Sequence, residues 1–116
     1  MRRPVPGYLY MLRCADGSYY VGSTTNLDVR LAEHSAGEGG DYTVRRLPVA
    51  LVYCEEFPTL HDAFVSERQV KGWTRAKKEA LIRRDYDALI ELSRSAVHRR
   101  ADPTWLDQPA EGRVER

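Results

Sequence analysis

The sequence predicts an α+β chain, and three observations lead there. Two tyrosine-bearing runs, Tyr8-Leu9-Tyr10 and Tyr20-Val21-Gly22, flank a hairpin signal near the N-terminus. A near-continuous apolar run from Val49 leads to Glu55. Helix-period segments follow Asn26, Thr59 and Thr74, side chains suited to capping a helix N-terminus. At 116 residues the chain is one domain's worth of sequence, long enough to bury a core without staples.

Residues 8–14 and 18–22 are aromatic and β-branched enough to be strands. Ala15-Asp16-Gly17 joins them, and the loop length decides which side chains share a face. A two-residue turn would put Tyr20 on the face away from Tyr10. A three-residue loop pairs Leu12 with Tyr20 and Tyr10 with Gly22, so that Tyr8, Tyr10 and Tyr20 share one face. That loop is a type I turn closed by a left-handed residue, which suits glycine, and φ > 0 is expected at Gly17. Asn26 then caps a helix over about 27–36, with Leu27, Leu31 and Ala32 on its apolar side. Arg30 and His34 are four apart and point the same way. Gly37, Gly39 and Gly40 open a flexible loop carrying Tyr42, Thr43, Arg45 and Arg46.

Pro48 introduces the third strand, Val49 to Glu55, whose apolar run predicts a central position buried on both faces. Thr59 followed by Asp62 resembles a capping box for a helix over about 60–72. In that helix Ala63, Phe64 and Val70 face inward, and Glu67 shares a stripe with Ala63 and Lys71. Thr74 caps a short basic helix to about Arg83, and Tyr86 to Ser93 forms another amphipathic piece. Residues 1–96 read as the folded domain and 97–116 as an irregular tail that Trp105 could dock.

The net charge is only +1, but between Ser66 and Arg84 seven basic residues stand against two acidic ones. Such a patch can steer a polyanion. Cys14 and Cys54 fall in apolar runs without ligand spacing and read as reduced, buried packing residues. The longest apolar run falls far short of the ~20 residues of a membrane span, and no signal core precedes it, so a cytoplasmic protein is expected.

Tyr8-Leu9-Tyr10, Tyr20-Val21-Gly22, the Ser-Thr-Thr-Asn-Leu-x-x-Arg-Leu-x-x-His run ending at His34, and Ala63-x-x-x-Glu67 together resemble the GIY-YIG endonuclease superfamily. Within it, the chain is most similar to small free-standing bacterial members and, through them, to the catalytic subunit of structure-specific endonucleases. The match covers about residues 7–92. The glycines at 37, 39 and 40 with Tyr42-Thr43, Pro48 before a strand, and Phe57-Pro58 before the glutamate helix support it. The resemblance implies a three-stranded antiparallel sheet flanked by helices, and a hydrolase that cleaves nucleic-acid phosphodiesters with Mg²⁺ or Mn²⁺. By position it assigns Tyr10, Tyr20, Arg30, His34 and Glu67 to the catalytic set, with Glu67 as metal ligand. The first motif departs from the family, its glycine displaced to Gly7. The late asparagine of many members has no counterpart either, since Asn26 is the chain's only one.

The chemistry can be weighed apart from the family. Phosphodiester hydrolysis needs an activated water, neutralisation of the developing charge and help for the leaving oxygen. Glu67 can hold a hard cation, which binds through one or two carboxylates plus phosphate oxygens. Arg30 offers bidentate donors to non-bridging oxygens. Tyr10 and His34 are rival general bases: a phenol has a pKa of about 10 and needs environmental help, whereas an imidazole starts near 6.5. Tyr42, Arg45, Arg46, Lys71, Arg75, Lys77 and Lys78 are the expected nucleic-acid contacts. Each residue also has an ordinary use: strand aromatics pack cores, Arg30 can pair with Glu33 or Glu38, His34 can serve as a charge at a helix C-terminus, Glu67 with Lys71 makes a common helix pair, and Tyr42 and Thr43 can simply order a loop. Only their joint order and spacing indicates a site. The expectation is a metal-dependent endonuclease on branched or damaged DNA, in preference to RNA, in repair or recombination, with room for a protein partner that supplies substrate specificity. The alternative is a nucleic-acid-binding module or accessory subunit that keeps the fold without turnover.

Overall fold

The computed structural model describes residues 5–100, with side chains described for 5–94. The chain divides into two compact units, one ending at Glu67 and the other beginning at Arg68.

The first unit is built on β1 (Gly7–Arg13), β2 (Tyr19–Thr24) and β3 (Ala50–Phe57), antiparallel in the order β2-β1-β3. The hairpin takes the three-residue loop: Leu12 faces Tyr20 and Tyr10 faces Gly22. Cys14 N–H donates to Ser18 O at 2.8 Å, Gly17 N–H donates to Cys14 O at 2.9 Å, and Gly17 lies at φ +86°. This left-handed backbone is where a Cβ would be strained, so the expected glycine turn is the observed one.

β3 is an edge strand, which corrects the expectation of a central one. The central strand is β1, whose Leu9, Tyr10, Met11 and Leu12 are all at most 1% exposed. In β3, Leu51 stays largely in solvent while Tyr53 is buried. A continuous apolar run shows that both faces of a strand carry apolar side chains; it says nothing about how many neighbours pair with its backbone.

The helices of this unit are α1 (Leu27–Ser35), α2 (Asp41–Val44) and α3 (Leu60–Lys71), of which α3 begins here. The Asn26 side chain accepts from Val29 N–H at 3.1 Å, and Thr59 Oγ1 accepts from Asp62 N–H at 3.1 Å, so both expected caps form. Gly7 lets β1 approach the first turn of α3 closely: a Cβ there would sit 2.5 Å from Leu60 Cα. Three expectations change. The glycine-rich segment after α1 contains the short helix α2 where a loop was expected. The residue that α1 buries completely is His34, while Leu27 and Leu31 are half-buried and Ala32 exposed. Phe64 is 45% exposed and does not face inward. Cys14 is buried, Cys54 only partly, and neither forms a disulfide.

The second unit holds α4 (Arg75–Ile82) and α5 (Tyr86–Arg100), which pack on one another. Thr74 Oγ1 caps α4 by accepting from Lys77 N–H at 3.2 Å. Ala80 and Leu81 are its buried residues, together with Lys77, whose ammonium lies 4.5 Å from the Trp73 ring centroid. Asp85 then caps α5 by accepting from Ala88 N–H at 3.1 Å. α5 runs through residues 97–100, which were expected to belong to the irregular tail. Trp105 and the rest of that tail lie outside the described residues. No helix among the described residues is long and apolar enough to cross a membrane.

Candidate active site

Tyr10 sits mid-strand in β1, and its ring crosses β2 at Gly22, where any Cβ would run into the phenol. The glycine of the second motif therefore serves a packing need. The ring reaches His34 in the last turn of α1: Tyr10 Oη lies 2.9 Å from His34 Nε2. The other ring nitrogen, Nδ1, is 2.9 Å from Thr43 Oγ1 on α2. His34 and Thr43 are both 0% exposed. Gly39 closes over the imidazole so tightly that a Cβ would overlap Nδ1. Tyr20 stands edge-on to the same imidazole, ring centroids 5.1 Å apart, and Tyr42 lies 5.9 Å beyond Tyr20.

Arg30, one turn before His34, donates from Nη1 to Glu33 Oε1 at 2.8 Å and from Nη2 to Gly39 O at 3.2 Å. Its charge and N–H groups also act on the Tyr10 phenol and lower its pKa. These interactions raise the pKa of Arg30 further, so it stays charged. Because a guanidinium only donates, Tyr10 Oη can meet it only as an acceptor. A buried phenol O–H needs an acceptor, and His34 Nε2 is the one at hand. That leaves the His34 proton on Nδ1, donated to Thr43 Oγ1. The result is one buried chain, Tyr10 to His34 to Thr43, with the part-buried Arg30 beside the phenol.

Burial is the largest influence on Tyr10 and pushes its pKa up to about 12. The Arg30 hydrogen bond and charge pull it down, while Tyr20 and Glu67 push it up. Arg30 alone therefore does not bring this phenol down toward pH 7, because desolvation outweighs it. Burial, then the Arg30 charge, lower the pKa of His34, which is therefore neutral at pH 7.

Glu67 on α3 is 8% exposed, and its Oε1 accepts from Ser23 Oγ at 2.5 Å. The carboxylate is therefore held against the hairpin, close enough to act on Tyr10. Ser23 belongs to β2, an edge strand, so this anchor holds Glu67 beside the hairpin that carries Tyr10. Among the described residues no three His, Cys, Asp or Glu side chains group to hold a metal. A lone carboxylate suits Mg²⁺ or Mn²⁺ bound jointly with waters and a substrate phosphate, and does not make an all-protein cage.

The expected nucleic-acid contacts divide. Tyr42 joins the aromatic cluster and is 38% exposed, and Arg45 is exposed. Arg46 is engaged internally: Nε donates to Asp16 Oδ2 at 3.0 Å, Nη1 donates to Tyr42 O at 2.9 Å, and its guanidinium stacks 3.8 Å from the Tyr42 ring centroid. It ties the end of α2 to the hairpin turn. In the second unit Lys71 and Arg75 are exposed, with Arg75 paired to Glu79 at 3.0 Å. Lys78 is part-buried, its pKa lowered by burial and then by Arg75. Lys77 is 7% exposed and faces Trp73, which removes it from any surface a polyanion could touch. The sequence gives no sign that Ser23 partners Glu67, and it offers Thr43 no role toward His34. Ser23 follows the Tyr-Val-Gly motif directly, whereas Thr43 meets His34 only through folding.

Residues 6–80 match the family model described as the GIY-YIG catalytic domain. The chain belongs to the GIY-YIG family. It is 49% identical to a UPF0213 protein of Natronomonas pharaonis over 75 residues, 65% of this chain and 88% of that protein. It is 42% identical to one of Bacillus pumilus over 91 residues, 78% of this chain and 88% of that protein. A solution NMR structure from E. faecalis, 38% identical, superposes with a TM-score of 0.50, covering 74% of this chain and 92% of that one. In this GIY-YIG chain the first-motif tyrosine, the Tyr-Val-Gly glycine, the helix histidine and the glutamate occupy the positions just described.

Proposed function

We propose that this GIY-YIG protein is a metal-dependent endonuclease that hydrolyses nucleic-acid phosphodiesters, with branched or damaged DNA as substrate. One observation carries the reading: a phenol held between a guanidinium and a neutral imidazole, with a carboxylate close enough to act on it. Packing alone does not require that combination in a buried place, because each polar group costs free energy to desolvate.

Ionising Tyr10 at pH 7 from about 12 would cost roughly 7 kcal/mol. A free phenolate is therefore too scarce at pH 7 to serve as the base. The chain of hydrogen bonds offers a cheaper route, in which Tyr10 Oη takes a proton from the attacking water while its own proton passes to His34 Nε2. Tyr10 orients the water and His34 stores the proton. Thr43 holds the imidazole in the tautomer whose Nε2 is free to accept it. Of the five N–H donors of Arg30, those to Glu33 and Gly39 are in use and hold the guanidinium beside the phenol. Its remaining donors are available to a phosphate oxygen of the substrate. Glu67, steadied by Ser23, would hold a divalent cation that supplies Lewis acidity to the leaving oxygen.

The test is a panel of duplex, flap, fork, four-way junction and single-stranded DNA and RNA with Mg²⁺ or Mn²⁺, comparing wild type with Glu67→Ala. Cleavage by wild type that drops at least 100-fold in the variant is expected. Equal cleavage by both removes Glu67 from the reaction. Salt-sensitive binding without product on any substrate would leave a binding module and end the hydrolase reading.

A further inference from the structure

The mechanism above leaves unused a groove that borders the carboxylate. It encloses about 510 Å³ and is lined by Ser23, Thr24 and Thr25 on one side and by Leu60, His61 and Phe64 on the other. We propose that this groove binds an unpaired nucleobase, that of a nucleotide next to the bond to be cut. The inference rests on the nuclease reading and names the feature of the substrate which that site selects.

The groove is continuous with the site through Ser23, which lines it and donates to Glu67 Oε1. It also runs along one stripe of α3, because Leu60, Phe64 and Glu67 stand at i, i+4 and i+7. Phe64 precedes Glu67 by three residues, about 4.5 Å along the helix axis. A base over Phe64 and a phosphate at Glu67 therefore fit within one nucleotide or its immediate neighbour.

The lining matches a nucleoside in kind. Phe64 and Leu60 are 45% and 40% exposed, large apolar groups that a base can cover. The Thr25 hydroxyl and the His61 imidazole can hydrogen-bond base edges and sugar, the Ser23 and Thr24 hydroxyls, which donate to Glu67 and Asn26 O, can still accept, and no carboxylate lines the groove to repel a phosphodiester. Stacking on an aromatic ring accepts any base, so the groove adds no sequence preference. It does demand that the base be out of the helix, since a paired base keeps its faces stacked in the duplex. A site with this neighbour selects flaps, junctions and lesions over intact duplex.

The experiment uses the full chain and flap oligonucleotides carrying 2-aminopurine at successive positions around the cut. In metal-free buffer, wild type should change the fluorescence of one unpaired position, Phe64→Ala should lose the change, and Phe64→Trp should restore it. With Mg²⁺, Phe64→Ala should raise KM about 5- to 150-fold, with a smaller effect on kcat. Far-UV circular dichroism and thermal melting of each variant show whether the fold is kept. A fluorescence change of equal size in Phe64→Ala, or one equally strong with fully paired duplex, overturns the proposal. If Phe64→Ala instead converts a dimer to a monomer in sedimentation and leaves the base signal intact, the groove is a self-association surface and the proposal fails. Cleavage lost in Glu67→Ala but indifferent to Phe64→Ala removes the base site and spares the hydrolase. A base signal lost in Phe64→Ala, from a protein that cuts nothing, does the reverse.

Discussion

Replacing Thr43 with valine removes one oxygen and adds a methyl of similar size, so packing around His34 is nearly preserved. The chemistry is not. His34 and Thr43 are both 0% exposed, and Thr43 Oγ1 is the partner 2.9 Å from Nδ1. Without it the Nδ1 proton is buried and unsatisfied, which costs about 1–3 kcal/mol. For a chain of this size that lowers Tm by roughly 4–12 °C. The imidazole can escape the penalty by moving its proton to Nε2, but Nε2 then donates to Tyr10 and accepts nothing. Activity should fall about 10²- to 10⁴-fold, the usual worth of a positioned base. Thr43→Ser keeps the oxygen and should recover most of both quantities. The assays are thermal melting and single-turnover cleavage of the best substrate from the panel. A Thr43→Val protein with wild-type Tm and wild-type rate would refute the buried chain and, with it, the assignment of His34 as proton acceptor.

Further tests address other parts of the site. Gly22→Ala forces the Tyr10 ring off the strand and should cost about 1–3 kcal/mol in urea denaturation, with loss of cleavage; a stability change under 0.5 kcal/mol would contradict the close packing. The acid limb of kcat/KM should titrate below 6.5, because burial and Arg30 lower the His34 pKa and only neutral His34 accepts a proton. The same shift makes stability full above about pH 6.5 and lost as pH falls from there toward the folded-state value, because the unfolded chain binds the proton first. With the Tyr10 pKa near 12, no basic limb belonging to that phenol should appear below pH 10; one near pH 9 would show that the phenolate itself is the base. Arg45→Gln should reduce the slope of log affinity against log salt by about 1, whereas Lys77→Gln should leave it unaltered, because only the first charge is exposed. An equal effect of both would place Lys77 on the binding surface after all.

Local chemistry explains why so much of the fold was legible. The register of the hairpin follows from three loop residues and one left-handed glycine. Asn26, Thr59 and Thr74 cap helices where their side chains can reach an N–H three residues on. Such signals act over a few residues and are written in adjacent letters. Strand order is different: the apolar run at Val49–Cys54 suggested a centre, and pairing made it an edge, because backbone partners leave no mark on side-chain composition. Phe64 was misread for a related reason, since helical spacing gives a direction but not what lies in it.

The chain by itself determined which groups would be available: phenols, a guanidinium, an imidazole and a carboxylate, spaced so that strand and helix periods bring them together. Only the tertiary structure decided their states. Burial raised the pKa of Tyr10 and kept His34 neutral, contacts distant in sequence supplied Thr43 and Ser23, and the packing of Lys77 on Trp73 withdrew a charge that composition had counted as exposed. Desolvation depends on everything that surrounds a group, and the sum of those surroundings exists only once the chain has folded.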